Sequence, residues 1–281
     1  MPIVTAGLNP DGTPCQFHLD EFLKNNLDEV KDVVGTSGKA GNDWDEIALI
    51  AGYPGTGKSN FAMSVARYCC EWFDISYIAF DAESFIELTN KCKPNSSIIL
   101  DESFQSLNSK TTMTSDFVRI INHLQLVRQK NLYIFLCLPN FFDLAKTIAI
   151  YRSSHLFVTY SEKYGHRGSF AAFGREEKKN LYILGQKFMN YNAARPNFRG
   201  RFVKAKGLDM EGYIQRKQEH LKAQGTIVVK ETKVRISRDN LFYKLFHLQK
   251  LPAELISEYS GLDITQVYAI IRKVEQRTLI Q

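Results

Sequence analysis

The sequence predicts an α/β protein with a mostly parallel sheet covered by helices and a small all-α unit at its C-terminal end. Three observations lead to this prediction. Short apolar runs with little polar alternation recur in the first part of the chain, which is typical of strands buried on both faces. Segments with helical spacing of apolar residues separate these runs. Residues 237–281 contain three short helical segments joined by turn residues.

The elements are predicted in the following order. Residues 1–16 carry three prolines and two glycines and are expected to be irregular. Leu19 to Val34 has helical spacing, and a glycine- and serine-rich loop from Gly35 to Asp43 follows it. A pair of antiparallel strands at the sheet edge is predicted for Ser169–Phe173 and Leu181–Leu184. The apolar runs assigned to the parallel sheet are Glu46–Ala51, Ile75–Phe80, Ser97–Leu100, Leu132–Leu138 and Leu156–Tyr160.

The segment from Gly52 to Ser59, Gly-Tyr-Pro-Gly-Thr-Gly-Lys-Ser, matches the pattern GxxxxGK[ST] between a predicted strand and a predicted helix. Such a turn directs backbone N–H groups at a phosphate, assisted by the helix N-terminus. We expect Lys58 to neutralise the β- and γ-phosphates of ATP and the Ser59 hydroxyl to ligate Mg²⁺. A glycine-rich surface turn, the alternative, leaves this pair unexplained. The predicted nucleotide-binding residues are Gly52, Tyr53, Pro54, Gly55, Thr56, Gly57, Lys58, Ser59 and Asn60.

Two carboxylates follow the apolar run Ser97–Leu100. A helix, a strand and a second helix fit between Lys58 and Asp101, which places this run in the same sheet. Asp101, at the carboxyl end of the strand, is predicted to hold Mg²⁺, usually through water. Glu102 is predicted to polarise the attacking water as a general base.

Three polar residues near the next strand are further candidates for the hydrolysis reaction. Asn140 follows the run Leu132–Leu138 and is a candidate γ-phosphate sensor, although asparagine after proline is also a common turn former. Charge spreads over the γ-phosphoryl oxygens during hydrolysis, so an arginine is expected nearby. Arg152 is preferred over Arg128 for this role, acting in trans on the nucleotide of a neighbouring subunit. Each of them fits a surface arginine equally well.

In this order, the phosphate-binding loop, Asp101-Glu102, Arg128, Pro139-Asn140 and Arg152 resemble additional-strand P-loop ATPases of the FtsK–HerA-like superfamily. That superfamily includes viral DNA-packaging and zonula-occludens-toxin-like ATPases. The resemblance covers residues 47–160, just over a third of the chain. It implies a ring, usually a hexamer, that pumps or threads DNA. Many members have glutamine as the sensor, and toxin-like members often carry a transmembrane helix that has no counterpart here.

Basic residues are concentrated in the C-terminal third of the chain. Residues 195–281 hold 17 Lys/Arg and 9 Asp/Glu, whereas residues 1–194 hold 19 and 21. This asymmetry indicates a polyanion partner such as DNA, with a solvated basic tail as the alternative. In residues 195–207, Phe198 and Phe202 stand between the arginines, and anchoring on the core is favoured over stacking on bases. The cations predicted to contact DNA phosphates are Arg195, Arg199, Arg201, Lys204 and Lys206.

Residues 237–281 fit a helix-turn-helix. A first helix has an apolar face that includes Leu241, Pro252 opens a second helix, and Gly261 makes the turn. Asp263 caps a third helix, in which Val267, Ile270, Ile271 and Val274 form the buried face. A three-helix bundle for protein contacts is the alternative. The residues predicted to contact DNA from the opposite face are Thr265, Gln266, Tyr268, Arg272 and Lys273.

The apolar stretches, the cysteines and the changes in composition along the chain predict its location and its domains. No apolar stretch reaches 18 residues, and no secretory signal is evident, so no membrane span is expected. Five cysteines without a CxxC pair are predicted to be buried thiols, which favours the cytoplasm, or the host cytoplasm if the chain is viral. The predicted domains are an N-terminal extension with one helix (1–45), a P-loop NTPase core (46–189), a basic connector (190–236) and a helix-turn-helix domain (237–281).

The leading hypothesis is a Mg²⁺-dependent ATPase that acts as an oligomeric ring and moves or packages DNA, either duplex or single-stranded. A DNA-binding protein switched by ATP, such as a loader, partition factor or regulator, is the second hypothesis. A small-molecule kinase is disfavoured because a helix-turn-helix has no role in one.

Overall fold

The computed structural model describes residues 2–9, 11–36, 39–101, 115–163, 165–225 and 233–278. The chain divides into two compact units, Met1–His220 and Leu221–Gln281. Among the described helices, none combines the length and apolar character needed to cross a membrane.

A seven-stranded sheet forms the centre of the first unit, in the order β11-β10-β9-β5-β8-β7-β6. Strands β9, β5, β8, β7 and β6 are parallel, and β10 and β11 are added antiparallel at one edge. The predicted α/β class with a mostly parallel sheet is therefore confirmed. The strands are β5 (Glu46–Ala51), β6 (Ile78–Ala79), β7 (Ser97–Leu100), β8 (Tyr133–Leu138), β9 (His155–Tyr160), β10 (Ser169–Phe173) and β11 (Phe198–Arg201).

Helices cover both faces of this sheet, as the continuous apolar runs require. Alternate residues of β5 point to opposite faces, so Ala48 and Ile50 belong to one core and Ile47 and Leu49 to the other. The first core also buries Leu23 and Phe61 from the helices, whereas the second buries Phe85, Leu124 and Leu181 in the same way. The described helices that begin in this unit are α1 (Glu21–Val34), α2 (Lys58–Cys69), α3 (Ala82–Lys91), α4 (Ser115–Leu126), α5 (Arg175–Gly185) and α6 (Met210–Gly225).

The N-terminal segment that was expected to be irregular forms an antiparallel hairpin, β1 (Ile3–Leu8) and β2 (Pro14–His18). Cys15 and Phe17 are buried and alternate with exposed neighbours, which is the pattern of a strand with one face on the core. Proline is tolerated at the first residue of such a strand. A second short pair, β3 (Gly35–Thr36) and β4 (Lys39–Ala40), follows α1.

Two further expectations about strands are wrong. Leu181–Leu184 lies in α5, where Lys178, Leu181, Tyr182 and Gly185 give a helical pattern of burial. A short apolar run does not distinguish a strand from a buried helical turn. In the run Ile75–Phe80, only Ile78 and Ala79 pair with a neighbouring strand, because a 3₁₀ turn occupies Ile75–Tyr77.

In residues 233–278, the described part of the second unit after Gly225, three helices surround a small apolar core of Phe242, Ala253, Ile256, Val267 and Ile271. They are α7 (Lys233–His247), α8 (Ala253–Ser260) and α9 (Ile264–Thr278). The predicted buried face of α9 is present, with Ile270 half-buried. Leu241, expected on the apolar face of the first helix, is 53% exposed.

All five cysteines lie in the described part of the chain and are thiols. Four are buried, as expected, and Cys92 is half-buried.

Candidate nucleotide-binding site

The segment from Gly52 to Ser59 connects the carboxyl end of β5 to the first residues of α2. Gly57 stands at the N-cap of α2 with a φ of 97°, a left-handed conformation that glycine adopts without strain. The Lys58 ammonium turns back over the loop and donates to the carbonyls of Gly52 at 2.8 Å and Tyr53 at 3.1 Å. A cation is therefore held at the helix N-terminus, where backbone amides and Lys58 together favour an anion.

Ser59 and Asp101 come together although 42 positions separate them. The Ser59 hydroxyl contacts both carboxylate oxygens of Asp101, at 3.0 and 3.1 Å. Asp101 directly follows β7 and is only 2% exposed. Strand β8 lies between β5 and β7, so the parallel strands deliver both residues to the same edge of the sheet.

This pair fits Mg²⁺. A hydroxyl and a carboxylate are hard oxygen ligands, and Mg²⁺ in nucleotide sites is commonly held by one or two protein ligands together with phosphate oxygens and water. Among the residues that the structure describes, no group of three or more His, Cys, Asp or Glu side chains forms a separate metal site. Ser59 and Asp101 would hold the metal, and Lys58 would hold the phosphates.

Two residues of α6 that the sequence does not mark as part of the site also contact Asp101. The Tyr213 hydroxyl donates to Asp101 Oδ2 at 2.6 Å, and the Lys217 ammonium lies 2.9 Å from the same oxygen. Burial and the neighbouring carboxylate raise the pKa of Tyr213, so it remains a hydroxyl donor. The spacing i, i+4 puts both side chains on one face of α6. That spacing was the available signal, but it does not reveal which element the face meets.

The segment between β11 and α6 covers the phosphate-binding loop. The Phe202 ring packs edge-on against Phe61 at a centroid distance of 5.0 Å. A Cβ placed on Gly57 would meet that ring at 3.2 Å. The Asn60 side chain accepts a hydrogen bond from the Ala205 backbone at 3.0 Å. Phe202 is thus an anchor on the core, the interpretation that the sequence favoured.

Phe198 is an anchor as well. Its ring packs edge-on against Phe170 at a centroid distance of 5.9 Å and lies 6.1 Å from Phe22. Strand β11, which contains it, extends the central sheet to Arg201, past the expected end of the core at residue 189.

Asn140 lies beyond the carboxyl end of β8, at the same edge of the sheet as the phosphate-binding loop. Its amide nitrogen donates to Asp143 at 2.9 Å, and its carbonyl oxygen accepts from the Tyr191 hydroxyl at 3.1 Å. Burial is the main cause that raises the pKa of Tyr191 to about 12. Asn140 therefore makes the turn contacts of the alternative interpretation, and its role as a sensor stays a prediction.

Arg152 and Arg128 lie at the opposite, amino edge of the sheet, before β9 and β8 respectively. The Arg152 guanidinium pairs with both carboxylate oxygens of Asp45, one of them at 3.1 Å, and also donates to the Leu124 carbonyl. The Arg128 guanidinium lies 5.0 Å from the centre of the Trp44 ring. Neither arginine is brought to the nucleotide site of its own chain, so a role in trans stays a prediction for both. Glu102, the predicted general base, lies outside the described residues.

The cations predicted to contact DNA are on the surface. Arg199 and Arg201 are the exposed residues of β11, and Arg201 forms an ion pair with Glu162 at 3.1 Å. In the second unit, the polar face of α9 is exposed as expected. Lys273 also lies in that helix, but the structure does not describe its side chain. The exposed candidates are Arg195, Arg199, Arg201, Lys204, Lys206, Thr265, Gln266, Tyr268 and Arg272.

The phosphate-binding loop after a central strand, the parallel sheet and the Ser59–Asp101 contact define a P-loop NTPase fold. No protein-family model and no curated protein matches the chain. Solved structures with partial likeness include the genome-packaging NTPase B204 of Sulfolobus turreted icosahedral virus 2, at 14% identity, covering 48% of this chain and 94% of that one with a TM-score of 0.35.

Another is the N-terminal domain of the zonular occludens toxin of Neisseria meningitidis, at 17% identity, covering 58% of this chain and 96% of that one with a TM-score of 0.41. The cytoplasmic domain of the type VII secretion ATPase EccC of Thermomonospora curvata is similar at 11% identity over 62% of this chain and 25% of that one, with a TM-score of 0.33.

Proposed function

We propose that this chain is a Mg²⁺-dependent ATPase that acts on DNA, and that it works as an oligomeric motor. The observation that carries the proposal is the contact between Ser59 and Asp101 at the end of the phosphate-binding loop. A hydroxyl at the start of a helix and a carboxylate at the end of a parallel strand in the same sheet are the two protein groups that a Mg²⁺–nucleotide complex needs.

In this proposal the residues divide the work of hydrolysis. The backbone amides of the loop and Lys58 bind and orient the phosphates, and Ser59 and Asp101 hold the metal. Bound Mg²⁺ would neutralise charge on the β- and γ-phosphate oxygens. Asn140, at the carboxyl edge of the sheet, would contact the γ-phosphate as its sensor. Glu102, which directly follows Asp101 in the sequence, is proposed as the base that takes a proton from the attacking water.

The surface cations support DNA as the partner. The five cations between Arg195 and Lys206 are all exposed, and they lie on or close to an edge strand rather than in the core. Cations of this kind contact phosphates without sequence preference, as a moving motor requires. The exposed polar face of α9 supplies a second candidate contact, of the helix-turn-helix kind.

An arginine acting in trans is the argument for a ring. Arg128 and Arg152 lie at the amino edge, so either can act only on the nucleotide of a neighbouring copy. Arg152 would have to leave Asp45 to do so, whereas Arg128 is exposed and lies against the Trp44 ring. These contacts favour Arg128 over Arg152, in contrast to the preference drawn from the sequence. Head-to-tail association closes into a ring when the rotation between neighbouring copies closes, and a closed ring is the assembly proposed here.

The test measures both the rate of ATP hydrolysis and the mass of the particle. ATP turnover is measured with and without duplex and single-stranded DNA, and the mass of the particle by light scattering with and without nucleotide. We expect DNA to stimulate hydrolysis and nucleotide to favour a multi-subunit particle. Lys58→Met should abolish hydrolysis, and Lys93→Met, at an exposed loop position, should not. Turnover by Lys58→Met at the wild-type rate would contradict the assigned site.

A DNA-binding protein switched by ATP is the second candidate, favoured by the contacts that α6 makes with Asp101. Removal of a protein roadblock from DNA during hydrolysis distinguishes the two. The motor should displace the roadblock, whereas the switch should bind DNA without displacing it.

A further inference from the structure

Helix α6 brings a positive charge to the residue assigned to the metal. Asp101 Oδ2 accepts three hydrogen bonds, from Ser59 at 3.1 Å, Tyr213 at 2.6 Å and Lys217 at 2.9 Å. Asp101 is 3% exposed at its side chain, and Lys217 is 25% exposed at its own. The ammonium thus compensates a buried carboxylate that would otherwise carry an unpaired charge.

Lys217 contacts the carboxylate that would hold Mg²⁺, so the two cations would compete for it. Mg²⁺ requires near-octahedral oxygen ligands at short distance, and it keeps several waters that need room around Asp101. An ammonium in hydrogen-bond contact with Oδ2 occupies part of that room, and two cations in a buried site repel each other. A metal held at Asp101 would therefore weaken the contacts from Lys217 and Tyr213.

Other contacts of α6 do not involve Asp101. Arg216 donates to the backbone carbonyls of Ile75 and Ile78, and the His220 ring lies against the Phe80 ring at 5.6 Å. The face that includes Tyr213 and Lys217 can loosen while these contacts retain the helix near the sheet. Both groups of contacts come from the same sixteen-residue helix, so one group can break while the other is kept.

We propose that α6 is a sensor of the loaded site: Lys217 stands in for the metal at Asp101 when the site is empty, and Mg²⁺ with ATP displaces Lys217 and Tyr213 and loosens the helix. This inference rests on the proposed nucleotide site. In sequence, α6 follows the exposed cations of residues 195–206, and its last five residues belong to the second unit, which starts at Leu221. Loading of the site is thereby communicated to the segment that joins the two candidate DNA-contacting regions.

The first test measures hydrogen exchange of the backbone amides of residues 208–222 in the full chain. Four states are compared: no ligand, Mg²⁺ alone, a non-hydrolysable ATP analogue with EDTA, and the analogue with Mg²⁺. We expect exchange to accelerate several-fold only when analogue and metal are both present. Unchanged exchange in a protein that binds the analogue would overturn the sensor while leaving the nucleotide site intact.

The second test uses variants of the helix. Lys217→Met removes the charge and retains most of the apolar stem, and Lys222→Met makes the same change at an exposed position of the same helix. In the presence of the analogue, Lys217→Met should lower the apparent Mg²⁺ dissociation constant by about tenfold. It should also accelerate exchange of α6 without any ligand. Lys222→Met should match the wild type in its apparent Mg²⁺ dissociation constant and in the hydrogen exchange of α6.

Tyr213→Phe keeps the ring on Phe80 and removes the hydroxyl, so we expect a smaller shift in the same direction. An unaltered Mg²⁺ constant in Lys217→Met refutes the competition. Binding of the analogue with EDTA is measured first. A wild-type protein that does not bind the analogue contradicts the nucleotide site itself, and this failure is distinct from failure of the sensor.

Discussion

Arg152 pairs with Asp45 through both of its terminal nitrogens at the amino edge of the central sheet. Asp45 is 4% exposed and directly precedes β5, the strand that leads to the phosphate-binding loop. The pair therefore holds the start of this strand against the turn before β9. For a side chain that the sequence offered as a catalytic candidate, this is a structural contact within its own chain.

Arg152→Ala should lower the free energy of unfolding by about 3 kcal/mol, because it leaves the Asp45 carboxylate buried without its partner. Urea unfolding followed by circular dichroism measures this change. Arg128→Ala removes an exposed side chain and should cost about 1 kcal/mol or less. Loss of hydrolysis in Arg152→Ala without any loss of stability would instead identify it as an arginine that acts in trans.

Asp101→Asn keeps the shape of the side chain and removes its charge. We expect the variant to bind ATP in EDTA as the wild type does, and to lose Mg²⁺-dependent hydrolysis on the order of a hundredfold or more. Steady-state turnover over a Mg²⁺ titration provides the measurement. Asp11→Asn, on an exposed hairpin turn, is the control. Full turnover in Asp101→Asn would place the metal elsewhere.

Phe202→Ala should destabilise the first unit by about 3 kcal/mol, since the ring is 8% exposed and packs on Phe61 and Gly57. Removing this cover should also weaken nucleotide binding. Thermal unfolding with and without nucleotide measures both effects. Phe188→Ala removes the same ring where it is 76% exposed, so its stability should match that of the wild type. Equal stability of the two variants would be evidence against Phe202 as an anchor.

The double variant Arg199→Ala/Arg201→Ala should weaken DNA binding uniformly across sequences. The slope of log affinity against log salt concentration should become shallower by about one for each phosphate that an arginine no longer neutralises. Fluorescence anisotropy between low and physiological salt measures the slope. Arg175→Ala, exposed at the start of α5, tests whether any removal of positive charge has the same effect. A slope that does not change in the double variant would exclude these two arginines from DNA binding.

Lys178 makes stability depend on pH. Its side chain is completely buried and its ammonium donates to the carbonyl and, at 2.6 Å, to the hydroxyl of Ser153. Burial lowers the pKa of Lys178 to about 7, against 10.5 for an ordinary lysine. Between these values the unfolded chain binds more protons than the folded one, so this residue makes stability rise with pH.

Relative to Lys178→Met, the wild-type free energy of unfolding should therefore increase by a few kcal/mol from about pH 7 to about pH 10. Below about pH 7 the full cost of burying the charged ammonium is present, and the difference should be constant. Urea unfolding of both proteins at several pH values measures the difference. Lys179→Met, whose exposed side chain neighbours Lys178 in sequence, should show no such trend. A flat difference between wild type and Lys178→Met would mean that Lys178 titrates normally.

The residues of the site that could be predicted from sequence are those whose positions follow from a short motif or from the end of a strand. A phosphate-binding loop has a fixed spacing, and a carboxylate at the end of an apolar strand must lie at the carboxyl edge of a parallel sheet. Ser59 and Asp101 were assigned on these grounds, and the structure brings them together.

Tyr213 and Lys217 were missed because a tyrosine and a lysine four positions apart on a polar helix also fit a solvated face. Their partner is 112 and 116 positions away, and only the path of the chain over the sheet brings it near. Leu181–Leu184 was assigned to the wrong element for a related reason. Its burial against the sheet, rather than any preference of its own residues, selects the helix.

The four-residue strand β11 is one of the two outermost strands of the sheet, and its exposed residues are arginines. An outermost strand offers unpaired backbone groups to any extended segment that approaches it. Charged side chains on an outermost strand oppose edge-to-edge aggregation, and β11 carries Arg199 together with Arg201, which is paired with Glu162. Strand addition at β11 is consequently disfavoured as a route of self-association, and neutralising both arginines would remove this protection as well.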